Sequence, residues 1–315
     1  MTTFAVVIPL HNKGPHIDRA LASVLRQTLP PDEILIVDDA STDDGLTRVL
    51  SYKDPRLRII RRPVPGPGGY AARNLAVLEA QSDWVAFLDA DDEWLPTHLE
   101  SISNAAAAEG RATCVFSGYT NIHPDGRQEI DRFSLQAGRN QLTTYALDEF
   151  LKAWLAIGEC PIWTSASAFQ RTHLVRSGLF PAGRCSRGGD KDLWLRAARE
   201  GLSVAAPSVT AIYHRDSVNM VTRTRSTTGR HCICNTIVGM LDSAPVATRP
   251  LLRRLFNQEV YQYALFAAKS GSVQLDAWQG FYKRDNPIRF AILAGLSTTT
   301  GAYTARQLRK LRGRL

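Results

Sequence analysis

The first hundred residues of the chain alternate between short apolar runs and segments with helical spacing. Apolar runs near residues 5–9, 34–37, 57–60 and 84–88 predict strands, and the segments between them carry apolar residues three and four positions apart. Strands that alternate with helices favour a mostly parallel sheet with helices on both faces. We therefore expect an α/β fold with a Rossmann-like, mostly parallel sheet and flanking helices.

Two groups of acids follow the predicted strands. Asp89, Asp91 and Asp92 end the fourth strand, and Asp38 and Asp39 end the second. Carboxylates this close raise one another's pKa unless a cation or hydrogen-bond donors keep them ionised. Ligands of such sheets bind at the carboxyl ends of the strands, so both groups are expected at one edge, where a divalent cation would make use of them.

The pattern changes beyond about residue 100. Residues 112–122 predict a strand, residues 123–127 predict a hairpin turn, and the Gly-Gly pair at 188–189 introduces a helical segment. From about residue 222 the chain is mostly helical in pattern and carries no readable motif. The expected regions are two halves of an α/β domain, 1–100 and 101–221, and a helical C-terminal region with a basic tail, 222–315.

Composition and segment lengths limit the class of protein. With 44% hydrophobic and 22% charged residues the chain fits a folded globular protein. No apolar run approaches the roughly 20 residues of a membrane-spanning helix, and the first residues lack the basic start and cleavage site of a signal peptide. The five cysteines include no C-x-x-C pair, so neither a zinc site nor a disulfide framework is indicated, and we expect reduced thiols in a cytoplasmic protein.

The net charge of +8 is concentrated at the C-terminus. Residues 303–315 hold five basic and no acidic residues, while the rest of the chain is close to balanced, which argues against a nucleic-acid-binding face. Leu308 and Leu311 lie at helical spacing within this basic tail. Two interpretations stay open for it: a solvated helix end, or a segment that docks on the anionic inner face of a membrane.

Four segments of the chain resemble, in this order, the motifs of family 2 glycosyltransferases. They read VVIPLHNKGPHIDRALASVLRQT, EILIVDDASTDD, GGYAARNLAVLEAQSDWVAFLDADDEW and GGDKDLWLRAAREG, and the resemblance covers roughly residues 4 to 220. It implies the GT-A fold and an inverting, nucleotide-sugar-dependent enzyme that binds its donor with residues 1–100 and its acceptor with residues 101–221. Acceptors in this family are often lipid-linked or cell-envelope glycans, which implies a role in capsule or O-antigen polysaccharide synthesis.

The resemblance implies a metal site in the acid cluster. Asp91 aligns with the direct ligand of Mn²⁺ or Mg²⁺. Asp89, on the other side of Ala90, aligns with a residue near the ribose or the metal's water shell. His214 aligns with a histidine close to the metal or the diphosphate. Such a cation neutralises the diphosphate leaving group. The alternative is that these acids, Asp92 above all, cap the helix that follows them.

Asp38 and Asp39 resemble the family's pair that reads the nucleotide base. A carboxylate accepts the N3–H of uracil or thymine, so UDP or dTDP donors are expected. The alternative is a turn in which Asp38 and Ser41 satisfy local backbone donors. The resemblance also implies nucleotide contacts from the first loop and from the helix after the glycine-rich loop, made by Pro9, Leu10, Asn12 (more a structural residue than a ligand) and Arg73, whose cation would face the aspartates.

An inverting transfer needs one general base to take the acceptor's proton. The family places this base in an acidic pair at the entry to a helix, where this chain has Gly189 followed by Asp190 and, two residues on, Asp192. Asp190 aligns with the base. Because the first acid of the pair is missing, the sequence leaves open which of the two aspartates performs the chemistry.

Two other function classes compete with a glycosyltransferase. A nucleotidyltransferase would need a glycine-rich phosphate loop after the first strand, and the segment PLHNKGPH does not provide one. The only support for a non-catalytic protein that binds a sugar nucleotide is the missing acid before Asp190.

If the tail docks on a membrane, we expect a cytoplasmic enzyme that is peripheral at the inner face of that membrane.

Overall fold

A computed structural model describes residues 2–136, 141–185, 188–217, 231–270, 272–273 and 279–312, which form a mixed sheet with helices on both faces. The strands are β1 (Phe4–Leu10), β2 (Glu33–Asp39), β3 (Leu57–Arg62), β4 (Trp84–Phe87), β5 (Glu93–Trp94), β6 (Ala112–Ile122), β7 (Gln128–Ile130), β8 (Thr143–Tyr145), β9 (Ser167–Gln170) and β10 (Leu202–His214). The helices are α1 (Gly14–Leu25), α2 (Gly45–Ser51), α3 (Tyr70–Glu79), α4 (His98–Ala108), α5 (Arg132–Gln136), α6 (Leu147–Ile157), α7 (Arg171–Arg176), α8 (Gly189–Glu200), α9 (Ile233–Ser243), α10 (Arg249–Lys269), α11 (Pro287–Leu296) and α12 (Thr299–Arg312).

The sheet has the strand order β3-β2-β1-β4-β9-β6-β10-β5. β1 pairs in parallel with β2 and β4, β2 pairs in parallel with β3, and β6 pairs in parallel with β10. β9 runs antiparallel to both of its neighbours, β4 and β6, so β4 and β6 point the same way. The strands that share this direction are β1, β2, β3, β4, β6 and β10. The mostly parallel α/β sheet with flanking helices is confirmed, and so is the hairpin after β6, whose partner is β7.

Alternation along the strands divides the core between the two faces of the sheet. On β1, Ala5 and Val7 belong to one buried cluster, whereas Val6 and Ile8 belong to the other. Helices α1 and α4 cover the second cluster, and α3, α6, α8, α9 and α10 cover the first. The C-terminal helices α9 and α10 therefore share a core with the rest of the α/β fold.

Cys185 and Cys232 form a disulfide. The expectation that all five cysteines are reduced is therefore wrong for this pair, while Cys114, Cys160 and Cys234 keep their thiols. The two partners are 47 residues apart in the chain, so no short spacing could have indicated the bond. The disulfide connects the loop before α8 to the residues that lead into α9.

None of the helices that the structure describes could span a bilayer. Within the described ranges, no helix combines the length and apolar character that crossing a membrane requires.

Candidate active site

A cavity of about 660 Å³ opens at the carboxyl ends of β1, β2 and β4. Parallel pairing brings these strand ends to one edge, as the sequence predicts. The first turn of α8 and one face of α10 complete the wall. The predicted site residues that line the cavity are Pro9, Leu10, Asp39, Arg73, Asp89, Ala90, Asp91 and Asp190. The predicted residues that do not line it are Asn12, Asp38, Asp192 and His214.

Asp89 is held by a buried arginine. The Arg73 guanidinium contacts the Asp89 carboxylate through Nη2 and donates to the backbone carbonyl of Gly68 at 2.8 Å through Nη1. Its charged carbon also lies 5.6 Å from the centre of the Phe180 ring. Burial alone would lower the pKa of Arg73, and the charge of Asp89 outweighs it and raises that pKa. The arginine therefore faces the acid cluster, as its sequence position predicts.

Asp91 is held by a lysine that is not among the predicted site residues. Lys13 Nζ lies 2.7 Å from Asp91 Oδ2, and the Ser217 hydroxyl donates to the same oxygen at 2.5 Å. Burial alone would raise the pKa of Asp91, but the Lys13 charge and these hydrogen bonds lower it below its usual value. The Asp91 carboxylate is consequently ionised at neutral pH and able to bind a cation.

Asp92 is the most deeply buried of the three acids. Its Oδ2 accepts a hydrogen bond from the Ser165 hydroxyl at 2.6 Å, and burial followed by the charges of Asp91 and Asp89 raises its pKa well above the usual range. The alternative in which Asp92 caps the next helix is wrong. The residue before α4 is Thr97, and no side chain makes a capping hydrogen bond at the start of this helix.

Only one member of the Asp38-Asp39 pair reaches the cavity. Asp38 accepts a hydrogen bond from the backbone N–H of Ser41 at 3.1 Å, which is the local turn that the sequence offers as its alternative. Asp39 is buried at the cavity wall, where it contacts the Arg62 guanidinium and accepts from the backbone N–H of Gly66 at 3.0 Å. Of the two, Asp39 is the one that lines the cavity.

Asn12 and His214 lie outside the cavity. Asn12 adopts a φ of 52° and accepts a hydrogen bond from the backbone N–H of Thr42 at 2.8 Å, so it joins the loops after β1 and β2. His214 Nε2 lies 3.1 Å from the Glu93 carboxylate on the neighbouring strand β5. Antiparallel pairing of β5 with β10 brings these two side chains together, so the imidazole has a carboxylate partner, while the backbone of His214 hydrogen-bonds Asp92 of the acid cluster.

The two aspartates of α8 have different surroundings. Gly188, with a φ of 72°, leads into the helix, and Asp190 lies in its first turn on the cavity wall. Asp192 is buried, accepts from Arg196 Nη2 at 2.8 Å and contacts the Thr236 hydroxyl of α9. Asp192 therefore connects α8 to α9, and Asp190 is the member of the pair that faces the site.

A buried charge cluster lies beside Asp190. Glu259 of α10 is fully buried, and both its oxygens lie within 3.1 Å of Lys191 Nζ. His231 Nδ1 lies 3.2 Å from the same carboxylate. Burial alone would raise the pKa of Glu259, but Lys191 and then His231 lower it to about 2. A helix without a readable motif therefore anchors Lys191 and His231 at the cavity wall.

Sequence reasoning missed every contribution from beyond residue 217. From α10, the side chains that line the cavity are Gln262, Leu265, Phe266 and Lys269. Lys13, Tyr70 and Lys191 were missed although they lie within the recognised motifs. For Lys13 a signal exists, because a cation in the loop after β1 lies next to the acids that follow the neighbouring strand β4.

The described residues contain no cluster of three or more histidine, cysteine, aspartate or glutamate side chains arranged to hold a metal. Asp89 and Asp91 are the carboxylates of the cavity that the sequence assigns to a cation. Mg²⁺ is commonly bound by one or two carboxylates together with substrate phosphates, so this pair fits a cation that arrives with a diphosphate.

The chain was compared with known proteins. The sequence model of glycosyl transferase family 2 matches residues 5–165, just over half of the chain. The chain is 45% identical over 103 residues to the succinoglycan biosynthesis protein ExoW of Rhizobium meliloti (strain 1021), covering 31% of this chain and 32% of that protein. It is 34% identical over 131 residues to the putative teichuronic acid biosynthesis glycosyltransferase TuaG of Bacillus subtilis (strain 168), covering 41% and 51%.

A third relative is the UDP-Glc:alpha-D-GlcNAc-diphosphoundecaprenol beta-1,3-glucosyltransferase WfgD of Escherichia coli, 34% identical over 96 residues, with 30% of this chain and 38% of that protein covered. The alignments thus span about a third to a half of these curated relatives.

Among solved structures, S. aureus TarS 1-349 superposes with a TM-score of 0.67 at 15% identity, covering 98% of this chain and 92% of that one. The same protein in complex with UDP-GlcNAc superposes with a TM-score of 0.62 at 17% identity and the same coverage. At this identity the likeness concerns the fold, a GT-A sheet followed by C-terminal helices. Because the family model extends over more than half of the chain and the fold agrees with it, the chain belongs to glycosyl transferase family 2.

Proposed function

We propose that the protein is an inverting glycosyltransferase that moves a sugar from a nucleotide diphosphate to a hydroxyl group of a glycan or lipid-linked acceptor. The observation that carries this proposal is the arrangement of carboxylates in the cavity. Asp39 ends β2, Asp89 and Asp91 follow β4 on the other side of β1, and Asp190 belongs to a helix on the same wall. This arrangement provides a donor site together with one carboxylate for the acceptor.

The reaction that we propose needs one proton acceptor. Asp190 takes the proton of the acceptor hydroxyl while the hydroxyl oxygen forms a bond to the anomeric carbon of the donor sugar. The bond between that carbon and the diphosphate oxygen breaks, its electron pair leaves with the nucleoside diphosphate, and the configuration inverts. Arg73, which already neutralises Asp89, and Lys13 bring positive charge to the part of the cavity where the diphosphate would develop negative charge.

For the cofactor we propose Mn²⁺ or Mg²⁺. Asp91 would hold it directly and Asp89 would lie near its water shell or the ribose, since hard cations prefer carboxylate oxygens. When bound, the ion supplies charge neutralisation of the leaving diphosphate. His214 is not included, because its imidazole is paired with Glu93.

For the donor we propose UDP or dTDP sugars. Asp39 is the base-reading carboxylate, with Pro9 and Leu10 at the same end of the cavity. Two comparisons support the nucleotide: one relative is named as a UDP-Glc-dependent glucosyltransferase, and one structural neighbour was solved with UDP-GlcNAc. The relatives named for succinoglycan and teichuronic acid biosynthesis support an acceptor among cell-envelope polysaccharides. We assign donor binding to residues 1–100 and acceptor binding to residues 101–221, with α10 adding to the acceptor side.

We also propose that the enzyme is cytoplasmic and peripheral at the inner face of a membrane. Residues 286–315 contain six basic and no acidic residues. Helices α11 and α12 within this segment expose large apolar side chains, Ile288 by 75%, Tyr303 by 62% and Leu308 by 57%. Exposed apolar groups among cations fit the interface of an anionic bilayer.

The experiment that tests the function is hydrolysis of UDP-glucose and UDP-GlcNAc with Mn²⁺, because active transferases slowly transfer to water. We expect release of UDP that EDTA stops and that Asp91→Asn largely abolishes without unfolding the protein. Asp125→Asn, a change at a carboxylate that is 68% exposed outside the cavity, is the control. Nucleotide binding without any UDP release, including in the presence of candidate acceptors, would identify a non-catalytic sugar-nucleotide-binding protein instead.

A further inference from the structure

Lys13 and Asp91 form a buried ion pair inside the cavity. Lys13 Nζ lies 2.7 Å from Asp91 Oδ2 and 2.9 Å from the Ser217 hydroxyl, and the two charged side chains are only 12% and 14% exposed. Lys13 belongs to the loop after β1 and Asp91 to the segment after β4, which pairs with β1. The contact therefore joins the two strand ends on which the proposed donor site is built.

Arg73 and Lys13, which pair with acids of this cluster, differ in character. Arg73 is held in place by its second hydrogen bond to the Gly68 carbonyl and by the Phe180 ring, so its charge on Asp89 is fixed. Lys13 is a point charge on a flexible four-carbon stem, which allows the ammonium to move. Without it, the Asp91 charge would lie buried beside two other carboxyl groups, an unfavourable state.

We propose that Lys13 is a displaceable counter-ion of Asp91, which holds this carboxylate in the metal-free protein and leaves it when a divalent cation binds. The inference rests on the proposed function, in which Asp91 binds the cation that accompanies the donor. A dication and an ammonium at one carboxylate oxygen repel each other, so the two compete for Asp91. Because Lys13 lines the same cavity, its ammonium can move to the diphosphate, whose negative charge replaces that of Asp91.

This competition has a consequence for the order of binding. Metal alone displaces Lys13 from the charge of Asp91, whereas metal together with a nucleoside diphosphate also brings new negative charge into the cavity. The affinity for the metal is therefore expected to be weak in the absence of nucleotide and to increase in its presence, which is a positive coupling between two ligands.

The test compares Lys13→Met, which keeps the apolar stem and removes the charge, with Lys53→Met, a lysine that is exposed outside the cavity. Two quantities are measured for each protein: the melting temperature in EDTA, and the affinity for Mn²⁺ with and without UDP from the electron paramagnetic resonance of free Mn²⁺. We expect Lys13→Met to melt earlier than wild type in EDTA. We also expect it to bind Mn²⁺ about 10-fold more tightly than wild type in the absence of UDP.

Asp91→Asn and the double variant complete the cycle. If the lysine acts through the charge of Asp91, Lys13→Met lowers the melting temperature less in the Asp91→Asn background than in the wild type. Suppose that wild type binds Mn²⁺ in the presence of UDP, but that in its absence Lys13→Met binds Mn²⁺ no more tightly than wild type does. This result would overturn the displacement. Failure of wild type to bind Mn²⁺ under any condition would instead contradict the metal assignment of the proposed function, and the melting temperatures would still report the ion pair.

Discussion

Tyr70 accepts a hydrogen bond from the backbone N–H of Gly189 through its hydroxyl oxygen, at 2.8 Å. Tyr70 begins α3, the helix that carries Arg73, and Gly189 begins α8, the helix that carries Asp190. The ring also stacks on Phe180 with 5.8 Å between ring centres. One side chain thus connects the helix on the proposed donor side to the helix that carries the proposed base.

We expect Tyr70→Phe to lower kcat more than it raises KM for the donor. The change leaves the buried N–H of Gly189 without its partner, at a cost of about 1–3 kcal/mol in stability, and frees the first turn of α8. Donor hydrolysis kinetics and urea unfolding measure the two effects. Tyr52→Phe, which removes a hydrogen bond to Asp18 at the protein surface, is the matched control and should keep wild-type kinetics. Equal kinetic losses in both variants would contradict a positioning role for Tyr70.

Asp190→Asn and Asp192→Asn should fail in different ways. For Asp190→Asn we expect kcat to fall by roughly 10²- to 10⁴-fold with little change in UDP affinity, because a general base is lost while the donor contacts remain. For Asp192→Asn we expect lower stability, since the Arg196 cation and the Thr236 hydroxyl lose a charged partner. Kinetics, calorimetry with UDP and urea unfolding separate the two outcomes. An inactive but stable Asp192→Asn with an active Asp190→Asn would reverse the assignment.

The parts of the fold and site that the sequence predicts are those written in local patterns. The parallel order of β1, β2 and β4, and hence the shared edge for Asp39, Asp89 and Asp91, follows from alternating strands and helices. The contact between Arg73 and Asp89 agrees with what the resemblance implies for the helix after the glycine-rich loop.

The missed contacts depend on how distant segments pack. Sequence could not distinguish Asp38 from Asp39, because only the turn with Ser41 decides which carboxylate faces the cavity. It did not show the Glu93 partner of His214, because the pairing of β5 with β10 leaves no local pattern. Glu259 was invisible for the same reason: a lone acid in a helix shows its role only when Lys191 lies against it.

The Glu259 cluster predicts how stability depends on pH. The pKa of Glu259 is lowered from its ordinary value of 4.5 to about 2, so its contribution to stability is complete above pH 4.5 and is lost as the pH falls through about 2. Glu259→Gln should lower the free energy of unfolding at pH 7 by about 1–3 kcal/mol, because the partly buried Lys191 loses its anion. The difference from wild type should be smaller at pH 3 than at pH 7.

Urea unfolding at both pH values measures this difference. Glu79→Gln, at a surface carboxylate that is 49% exposed, is the control and should leave stability nearly unchanged at either pH. A constant difference between Glu259→Gln and wild type from pH 7 to pH 3 would show that the carboxylate charge is not the source of the stability.

Nucleotide selectivity should depend on Asp39 and not on Asp38. We expect UDP and dTDP to bind more tightly than GDP or ADP, because a carboxylate accepts the N3–H of uracil and thymine. Asp39→Asn should reduce this preference, whereas Asp38→Asn changes a turn residue outside the cavity and should retain it. Calorimetric titration of the four nucleotides with each protein gives the answer, and tighter binding of GDP than of UDP by wild type would refute the base assignment.

Membrane docking through α12 should depend on its cations. We expect the protein to sediment with vesicles rich in phosphatidylglycerol, to remain in solution with phosphatidylcholine, and to be released by salt, because the attraction is screened. Arg306→Gln combined with Lys310→Gln should weaken the partition by about 30-fold, since each cation near an anionic surface contributes about 1 kcal/mol. Donor hydrolysis should be unaffected, because neither residue lines the cavity.

The matched control removes the same charge elsewhere, by Arg111→Gln combined with Lys152→Gln at side chains that are 80% and 62% exposed. If sedimentation depends on net charge alone, both double variants lose it equally, and α12 has no special role. If α12 docks, the control keeps most of its binding, and Leu308→Ser weakens the partition further because this exposed leucine would lie among the lipid headgroups. Equal sedimentation of wild type and of the Arg306→Gln/Lys310→Gln variant would rule out docking through the charges of this helix.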